Sequence, residues 1–261
     1  MSKVAAIANV HLLPETEEQI SQLSESTITF STEDVQPSLE ELISRTGDAD
    51  AVLVSPGTKI TNEYLEACPS VKYIGICGTS KENVDLSAVE KHKVVITNVV
   101  DYGDEPTAEF IFMQLEYLAR GMGDYQWREY PTELMGKTIG IIGLGALGKA
   151  IANLALAYKM QVSYYSKTRK PEQEQQGIKY VDKNELLKTC GIIIVSTPSN
   201  FVAINSQEFE LIQSNTIIVQ ASMGECLDRA SFLQWIKQDG NFAIFDYSAG
   251  NNSYQAYKDF K

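Results

Sequence analysis

The hydrophobic positions fall into two runs of short apolar stretches separated by segments with helical periodicity. In the first hundred residues the apolar stretches are Lys3–Val10, Thr27–Phe30, Ala51–Val54, Lys72–Cys77 and Lys93–Val99. Between them lie a polar helix near Thr16–Leu23, then Ser38–Arg45, Asn62–Pro69 and Asp85–His92. Such alternation predicts parallel strands joined by crossover helices. A second unit opens at Asp104: Asp104-Glu105-Pro106-Thr107 is a helix-start signal, and Phe112, Leu115, Ala119 and Met122 recur at helical spacing until Gly121 and Gly123 end the element. The apolar run Phe110–Met113 with Leu115 makes this helix hydrophobic nearly all round, and the expectation is burial on both sides.

After a polar connector around Asp124–Glu133 the alternation resumes. It reads Thr138–Gly143, a helix from about Ala146 to Tyr158, Gln161–Ser166, a helix near Asn184–Thr189, Ile192–Ser196, Ser206–Ile212, Asn215–Gln220, the helix Asp228–Gln238 and Phe242–Asp246. The expected fold is α/β with two doubly wound parallel-sheet domains, residues 1–103 and 104–261, and a ligand site in the cleft between them.

Composition alters this picture little. Hydrophobic residues make up 44% and charged residues 21%, ordinary for a globular chain. The formal charge of −12 argues against nucleic acid or anionic lipid as a partner, so an anionic ligand needs a local cluster of cations. No stretch reads as a membrane span and none as a signal peptide, which predicts a cytoplasmic protein. The four cysteines, Cys68, Cys77, Cys190 and Cys226, have neither zinc-ligand nor disulfide-framework spacing, and no metal is expected.

Candidate chemistry begins at Gly143-Leu144-Gly145-Ala146-Leu147-Gly148, a G-x-G-x-x-G turn that leaves an apolar strand and enters a helix. That context lets backbone N–H groups and a helix N-terminus approach a pyrophosphate, with the last glycine permitting close helix–strand packing. Roughly 20 residues further on, a site for NAD(H) carries an acidic residue for the ribose hydroxyl. Here the run is Ser166-Lys167-Thr168-Arg169-Lys170. Cations and hydroxyls suit a 2′-phosphate that a carboxylate would repel, so NADP(H) is the expected cofactor and NAD(H) the weaker possibility. A solvated basic loop is the plain alternative.

At this point the chain resembles the D-isomer-specific 2-hydroxyacid dehydrogenases along nearly its whole length. The likeness is carried by Lys72–Gly75, Glu82–Leu86, Tyr102-Gly103-Asp104 with Thr107–Phe110, and Leu134–Gly145. The resemblance implies a flavodoxin-like N-terminal substrate domain, a Rossmann-type coenzyme domain, a small-molecule substrate held between them, and a homodimer built through the coenzyme domain. It implies that Gly78, Thr79 and Ser80 present backbone N–H groups to a substrate carboxylate, that Thr197 and Pro198 line the coenzyme, and that Asp246 holds the nicotinamide carboxamide. Lys81 departs from the small or apolar residue of the family's loop. It would add positive charge beside a bound anion, or lie solvated.

Reduction of a 2-keto acid requires a cation to clamp the carboxylate and polarise the carbonyl, and an acid to protonate the developing alkoxide. The family's Arg lies in a segment resembling Gln220-Ala221-Ser222-Met223-Gly224, where this chain has Met223; its Glu falls near Asn251. The family's His would come later still, about where the chain reaches Lys261, and the expectation is that it is missing. His11 follows the first strand and reads as structural or cleft-bordering; His92, in a charged segment, reads as solvated. Two readings stand: an NADPH-dependent oxidoreductase acting on a non-standard small carbonyl or imine, with Lys81, Tyr102 or Tyr247 as catalytic candidates and Tyr254 as a further proton donor, or a non-catalytic NADP(H)-binding or interaction protein of the same descent.

Overall fold

The computed structural model describes residues 3–24, 31, 36–199 and 201–246. The chain divides into two compact units, Met1–Tyr102 and Gly103–Lys261.

In the first unit β1 (Val4–Ala6), α1 (Pro14–Leu23), α2 (Leu39–Thr46), β2 (Ala51–Val54), α3 (Asn62–Ala67), β3 (Tyr73–Ile76), α4 (Leu86–Lys91) and β4 (Val95–Asn98) follow in order. The four strands form a parallel sheet in the order β1-β2-β3-β4. The strand expected at Thr27–Phe30 lies outside the described residues. Local chemistry explains the helix starts. The Ser38 side chain accepts from the Glu41 N–H while Glu41 accepts from the Ser38 N–H, a reciprocal capping box that satisfies two N-terminal donors of α2. Thr61 and Asp85 cap α3 and α4 one way, their side chains accepting from the Tyr64 and Ala88 N–H groups. Ile7, Val52, Val54, Tyr64, Ile74 and Ile76 are buried in this unit's core.

The second unit comprises α5 (Asp104–Arg120), β5 (Thr138–Ile142), α6 (Ala146–Ala157), β6 (Gln161–Tyr165), α7 (Pro171–Glu174), β7 (Lys179–Tyr180), α8 (Lys183–Thr189), β8 (Ile192–Val195), α9 (Ser206–Phe209), β9 (Ile217–Gln220), α10 (Arg229–Trp235) and β10 (Phe242–Phe245). Its parallel sheet runs β10-β9-β8-β5-β6-β7, so the chain winds outward from β5 in one direction and then, from β8, in the other. The carboxyl ends of β5 and β8 therefore meet at a topological switch point, where doubly wound sheets open a crevice. The middle strands β8, Ile-Ile-Ile-Val, and β9, Ile-Ile-Val-Gln, are buried at every position, as strands covered on both faces must be.

Three features go beyond the sequence reading. The polar connector is anchored: Trp127 is buried and its indole N–H donates to the Asn215 carbonyl at 2.8 Å. The four-residue α7 and two-residue β7 had no sequence counterpart, being too short for periodicity to register. Finally, within the single chain α5 buries one stripe and leaves another face to solvent. Ala108, Ile111, Phe112, Leu115 and Ala119 form its buried stripe, Phe112 stacks on Tyr158 with 4.9 Å between ring centroids, and Met113 and Tyr117 on another face are exposed. Among the described residues no helix is long and apolar enough to cross a membrane.

Candidate functional site

The glycine turn after β5 is shaped by its neighbours. Gly143 has φ +99°, a conformation disfavoured for L side chains, and a β-carbon there would overlap the Ser196 carbonyl oxygen. At Gly148 a β-carbon would overlap the Gly143 carbonyl oxygen. These two glycines serve backbone packing. Gly145 differs: a β-carbon there would meet nothing within 4 Å, so its space opens outward. Gly145 is also the N-cap of α6; among the described residues no side chain caps that end, and no acidic residue lies in its first turn. Gly145 and Ala146 are exposed, while Leu147 packs partly into the core. An open, uncapped helix N-terminus free of carboxylates fits the pyrophosphate of a dinucleotide. A nicotinamide coenzyme held there would carry a hydride.

The neighbouring strand ends are tied to this turn. The Gly143 N–H donates to the Tyr165 carbonyl at 2.8 Å, and the Ser196 hydroxyl donates to the Gly143 carbonyl at 2.6 Å. The Thr197 N–H donates to Ser222 Oγ at 2.7 Å, and that hydroxyl donates to the Val195 carbonyl at 3.2 Å. Pro198 is exposed beside Thr197. The loops after β5, β8 and β9 are thus one hydrogen-bonded edge. Ser196 and Ser222, which tie that edge together, were missed from sequence; their only signal is adjacency to Thr197 and to Met223.

Beyond β6, the Ser166 hydroxyl donates to the Thr168 carbonyl at 2.6 Å, so its proton is committed to the loop. Lys167, Thr168 and Arg169 are exposed. Arg169 is engaged: Nε donates to Glu174 Oε1 at 2.7 Å and Nη2 to Oε2 at 2.6 Å, with the guanidinium carbon 5.3 Å from the Tyr180 ring centroid. The buried Tyr164 hydroxyl donates to Glu174 Oε1 at 3.0 Å and accepts from the Lys170 N–H at 2.6 Å. Hydrogen bonding to Arg169 holds the Glu174 carboxyl below its usual range and the guanidinium above its own, while burial pushes the Tyr164 hydroxyl up. Glu174 and Tyr164 were not singled out from sequence. The signal was a carboxylate five residues beyond Arg169.

Asp246, only 4% exposed, lies just beyond β10; its carboxylate accepts from the Thr107 hydroxyl at 3.4 Å near the start of α5. Met223 is 40% exposed on the loop after β9. The buried Gln220 amide donates to the Ser222 and Gly224 carbonyls at 3.3 and 2.6 Å and holds that loop in shape, while its Oε1 has no partner among the described residues. The loop keeps its form, and position 223 supplies no charge.

In the first unit, a β-carbon on Gly78 would overlap Pro56, and the Thr79 carbonyl accepts from the Asn98 amide at 2.8 Å. The Thr79, Ser80 and Lys81 N–H groups donate to no described residue. Ser80 Oγ accepts from the Glu82 N–H at 3.2 Å. Lys81 is half-buried and Tyr102 is exposed. Tyr247, Asn251 and Tyr254 lie outside the described residues. His92 is half-buried rather than fully solvated, with Nε2 3.2 Å from Asn62 Oδ1, joining α4 to α3. His11 is exposed with φ +48°, its N–H donating to Asn9 Oδ1 at 3.0 Å. Among the described residues no group of three or more His, Cys, Asp and Glu is arranged to hold a metal ion.

Strand order, switch point and glycine turn define the second unit as a Rossmann-type dinucleotide-binding fold. Residues 111–248, more than half of the chain, match the model of the D-isomer specific 2-hydroxyacid dehydrogenase NAD-binding domain, and the chain belongs to that family. It is 29% identical over 218 residues to the glyoxylate reductase of Thermococcus litoralis; the match takes in 76% of this chain and spans just under two thirds, 66%, of that relative. Among solved structures, a D-isomer specific 2-hydroxyacid dehydrogenase from Polaromonas sp. JS6 66 is similar with a TM-score of 0.80 at 17% identity, covering 98% of this chain and 86% of the other. An acyclic imino acid reductase in complex with NADPH and D-Arg is similar with a TM-score of 0.76 at 22% identity, covering 98% and 92%. At these identities the two structures speak for the fold.

Proposed function

We propose that the chain is an NADP(H)-dependent oxidoreductase of this family whose substrate is a small carbonyl or imine compound other than the family's simple 2-keto acids. The observation that carries the coenzyme reading is the Ser166–Lys170 loop, which offers Lys167 and Arg169 and no carboxylate of its own at the end of β6. Gly143, Gly145 and Gly148 with the Ala146–Leu147 helix start would hold the pyrophosphate, Thr168 and the two cations the 2′-phosphate, and Thr197, Pro198 and Asp246 the nicotinamide half.

The substrate reading rests on Met223. A thioether neither attracts a carboxylate nor polarises a carbonyl. The N–H groups of Gly78–Ser80 remain suited to an anionic or carbonyl oxygen, and Lys81, Tyr102 and Tyr247 are the candidates for the proton donor. Two measurements test the proposal. Calorimetry should give a lower Kd for NADPH than for NADH, and equal values would reject the coenzyme reading. A panel of keto acids, aldehydes and imines should contain a compound that oxidises NADPH with the protein present. NADPH binding with no turnover across the panel would favour a non-catalytic NADP(H)-binding protein. We further infer a homodimer using the exposed Met113 and Tyr117 face of α5, to be checked by light scattering at micromolar protein, where a monomeric mass would contradict it.

A further inference from the structure

We propose that Glu174 is a positioning residue for the 2′-phosphate of the coenzyme: it grips one edge of the Arg169 guanidinium so that the other edge is presented to the phosphate. The inference rests on the NADP(H) reading above and goes beyond it, because it assigns the coenzyme preference to a carboxylate that by charge alone would oppose it.

A guanidinium has two edges that each offer a pair of parallel N–H groups, one formed by Nε and Nη2 and one by Nη1 and the second hydrogen of Nη2. Glu174 occupies the first edge with both of its oxygens. The second edge is untouched, since Nη1 donates to no described residue and the Arg169 side chain is 63% exposed. Tyr180 backs the guanidinium and limits how far it can tilt. Glu174 is itself anchored from behind by the buried Tyr164 hydroxyl, which also holds the Lys170 backbone. The whole loop from Ser166 to Lys170 therefore hangs on one buried phenol and one carboxylate. Arg169 does not have to release Glu174 to meet a phosphate, because bidentate recognition through the free edge remains available.

The opposing effect is Coulombic. Across residues 167–174, Lys167, Arg169 and Lys170 face Glu172 and Glu174, which leaves the segment one positive charge in excess. The Glu174 side chain is 20% exposed and its charge is paired with Arg169, so its repulsion of a phosphate several ångströms away, at physiological salt, changes affinity by about twofold to threefold. Fixing a bidentate fork in place of a freely rotating cation is worth on the order of tenfold. Positioning therefore wins.

The test compares NADPH and NADH binding, and adenosine 2′,5′-bisphosphate against adenosine 5′-monophosphate, for wild type, Glu174→Ala and Arg169→Lys. The expected result is that Glu174→Ala lowers the preference for the 2′-phosphorylated ligand by about tenfold while NADH affinity stays within about twofold. Arg169→Lys should lose about as much, and adding Glu174→Ala to Arg169→Ala should cost nothing further. Should Glu174→Ala fail to fold, Glu174→Gln keeps the shape and one acceptor and should show an intermediate loss. A rise in preference would mean that the carboxylate repels the phosphate; an unchanged preference, or an equal fall for both coenzymes, would mean a purely structural role. Each of these overturns the inference while the NADP(H) reading stands. A wild-type protein with no preference between the coenzymes would instead overturn that reading, and the inference with it.

Discussion

The loops after β5 and β9 lie on the same edge of one sheet and are joined through Ser196, Thr197 and Ser222, yet they hold their shapes by different means. The turn at Gly143–Gly148 is shaped by what it lacks. Gly143 and Gly148 leave out side chains so that backbone can pack on backbone, and Gly145 leaves open the space where a phosphate would sit. The loop at Gln220–Gly224 is shaped by what it carries: the Gln220 amide donates to the Ser222 and Gly224 carbonyls within it, the Ser222 hydroxyl ties it to Val195 and Thr197 at the end of β8, and the side chain of residue 223 has no part in these bonds. Form depends on residue type at Gly143 and Gly148 in the first loop, and does not depend on the side chain of residue 223 in the second. The side chain at position 223 can therefore vary with the β9 loop intact, whereas Gly143 and Gly148 cannot change residue type without changing the shape of the turn.

The largest effect expected from this difference is on rate. With no cation at 223, turnover of glyoxylate or pyruvate with NADPH should be depressed by at least about 10²–10³-fold relative to a site that polarises the carbonyl, and Met223→Arg alone should leave it depressed if the proton donor is also lacking. A steady-state kcat of about 1 s⁻¹ with NADPH and glyoxylate would remove the basis of the comparison.

Next in size is the glycine turn. Gly143→Ala forces a side chain onto a left-handed backbone against the Ser196 carbonyl and should cost about 1–3 kcal/mol in strain, more with the steric overlap, read as a lowered Tm and lost coenzyme binding together. Gly145→Ala should separate the two readouts: Tm stays near wild type, because its β-carbon meets nothing, while NADPH binding weakens. If both variants melt alike, the assignment of different duties to these two glycines is wrong.

Ser222→Ala probes the link between the loops. It deprives the Thr197 N–H of its acceptor, and a part-buried donor left unpaired should destabilise the protein by about 1–3 kcal/mol by chemical denaturation. A change below about 0.5 kcal/mol would show that the strand ends hold without it.

The smallest effect concerns pH. The Glu174 carboxyl is held below its usual value in the folded chain, chiefly by the hydrogen bond from Arg169, so the stability it contributes is present above the ordinary glutamate pKa and is lost as pH falls through the folded one. The difference in Tm between wild type and Glu174→Gln should accordingly be constant from about pH 8 to pH 6 and vanish well below pH 4. A difference that instead grows on acidification would contradict the pairing.

How far these features were legible from sequence depends on how local their causes are. The strands β5, β8 and β9 and the helices α5 and α6 were readable because apolar periodicity, start signals and the glycine spacing all act within a few residues, and the family blocks extended that reading to the whole fold. The identity of residue 223 was readable for the same reason. Adjacency in three dimensions was not. Ser222 meets Thr197 across 25 residues of chain, and His92 meets Asn62 across 30, so both pairings depend on neighbouring strands and helices being in place first. On α5 the pattern gave the apolar content, but which stripe the chain itself covers and which it leaves to solvent was decided by the packing of α6 and the sheet.

The Ser166–Lys170 loop divides the two kinds of information most clearly. The sequence by itself determined its charge and its position at the end of a strand, because charge is a property of residues and the strand of local pattern. Only the tertiary structure decided where those charges point. The short turn of α7 returns Glu174 to Arg169, and the buried Tyr164 hydroxyl fixes Glu174 in turn. A hydrogen bond needs its partners within about 3 Å and aligned, a condition that a one-dimensional pattern does not encode and that packing against β6 and β7 imposes.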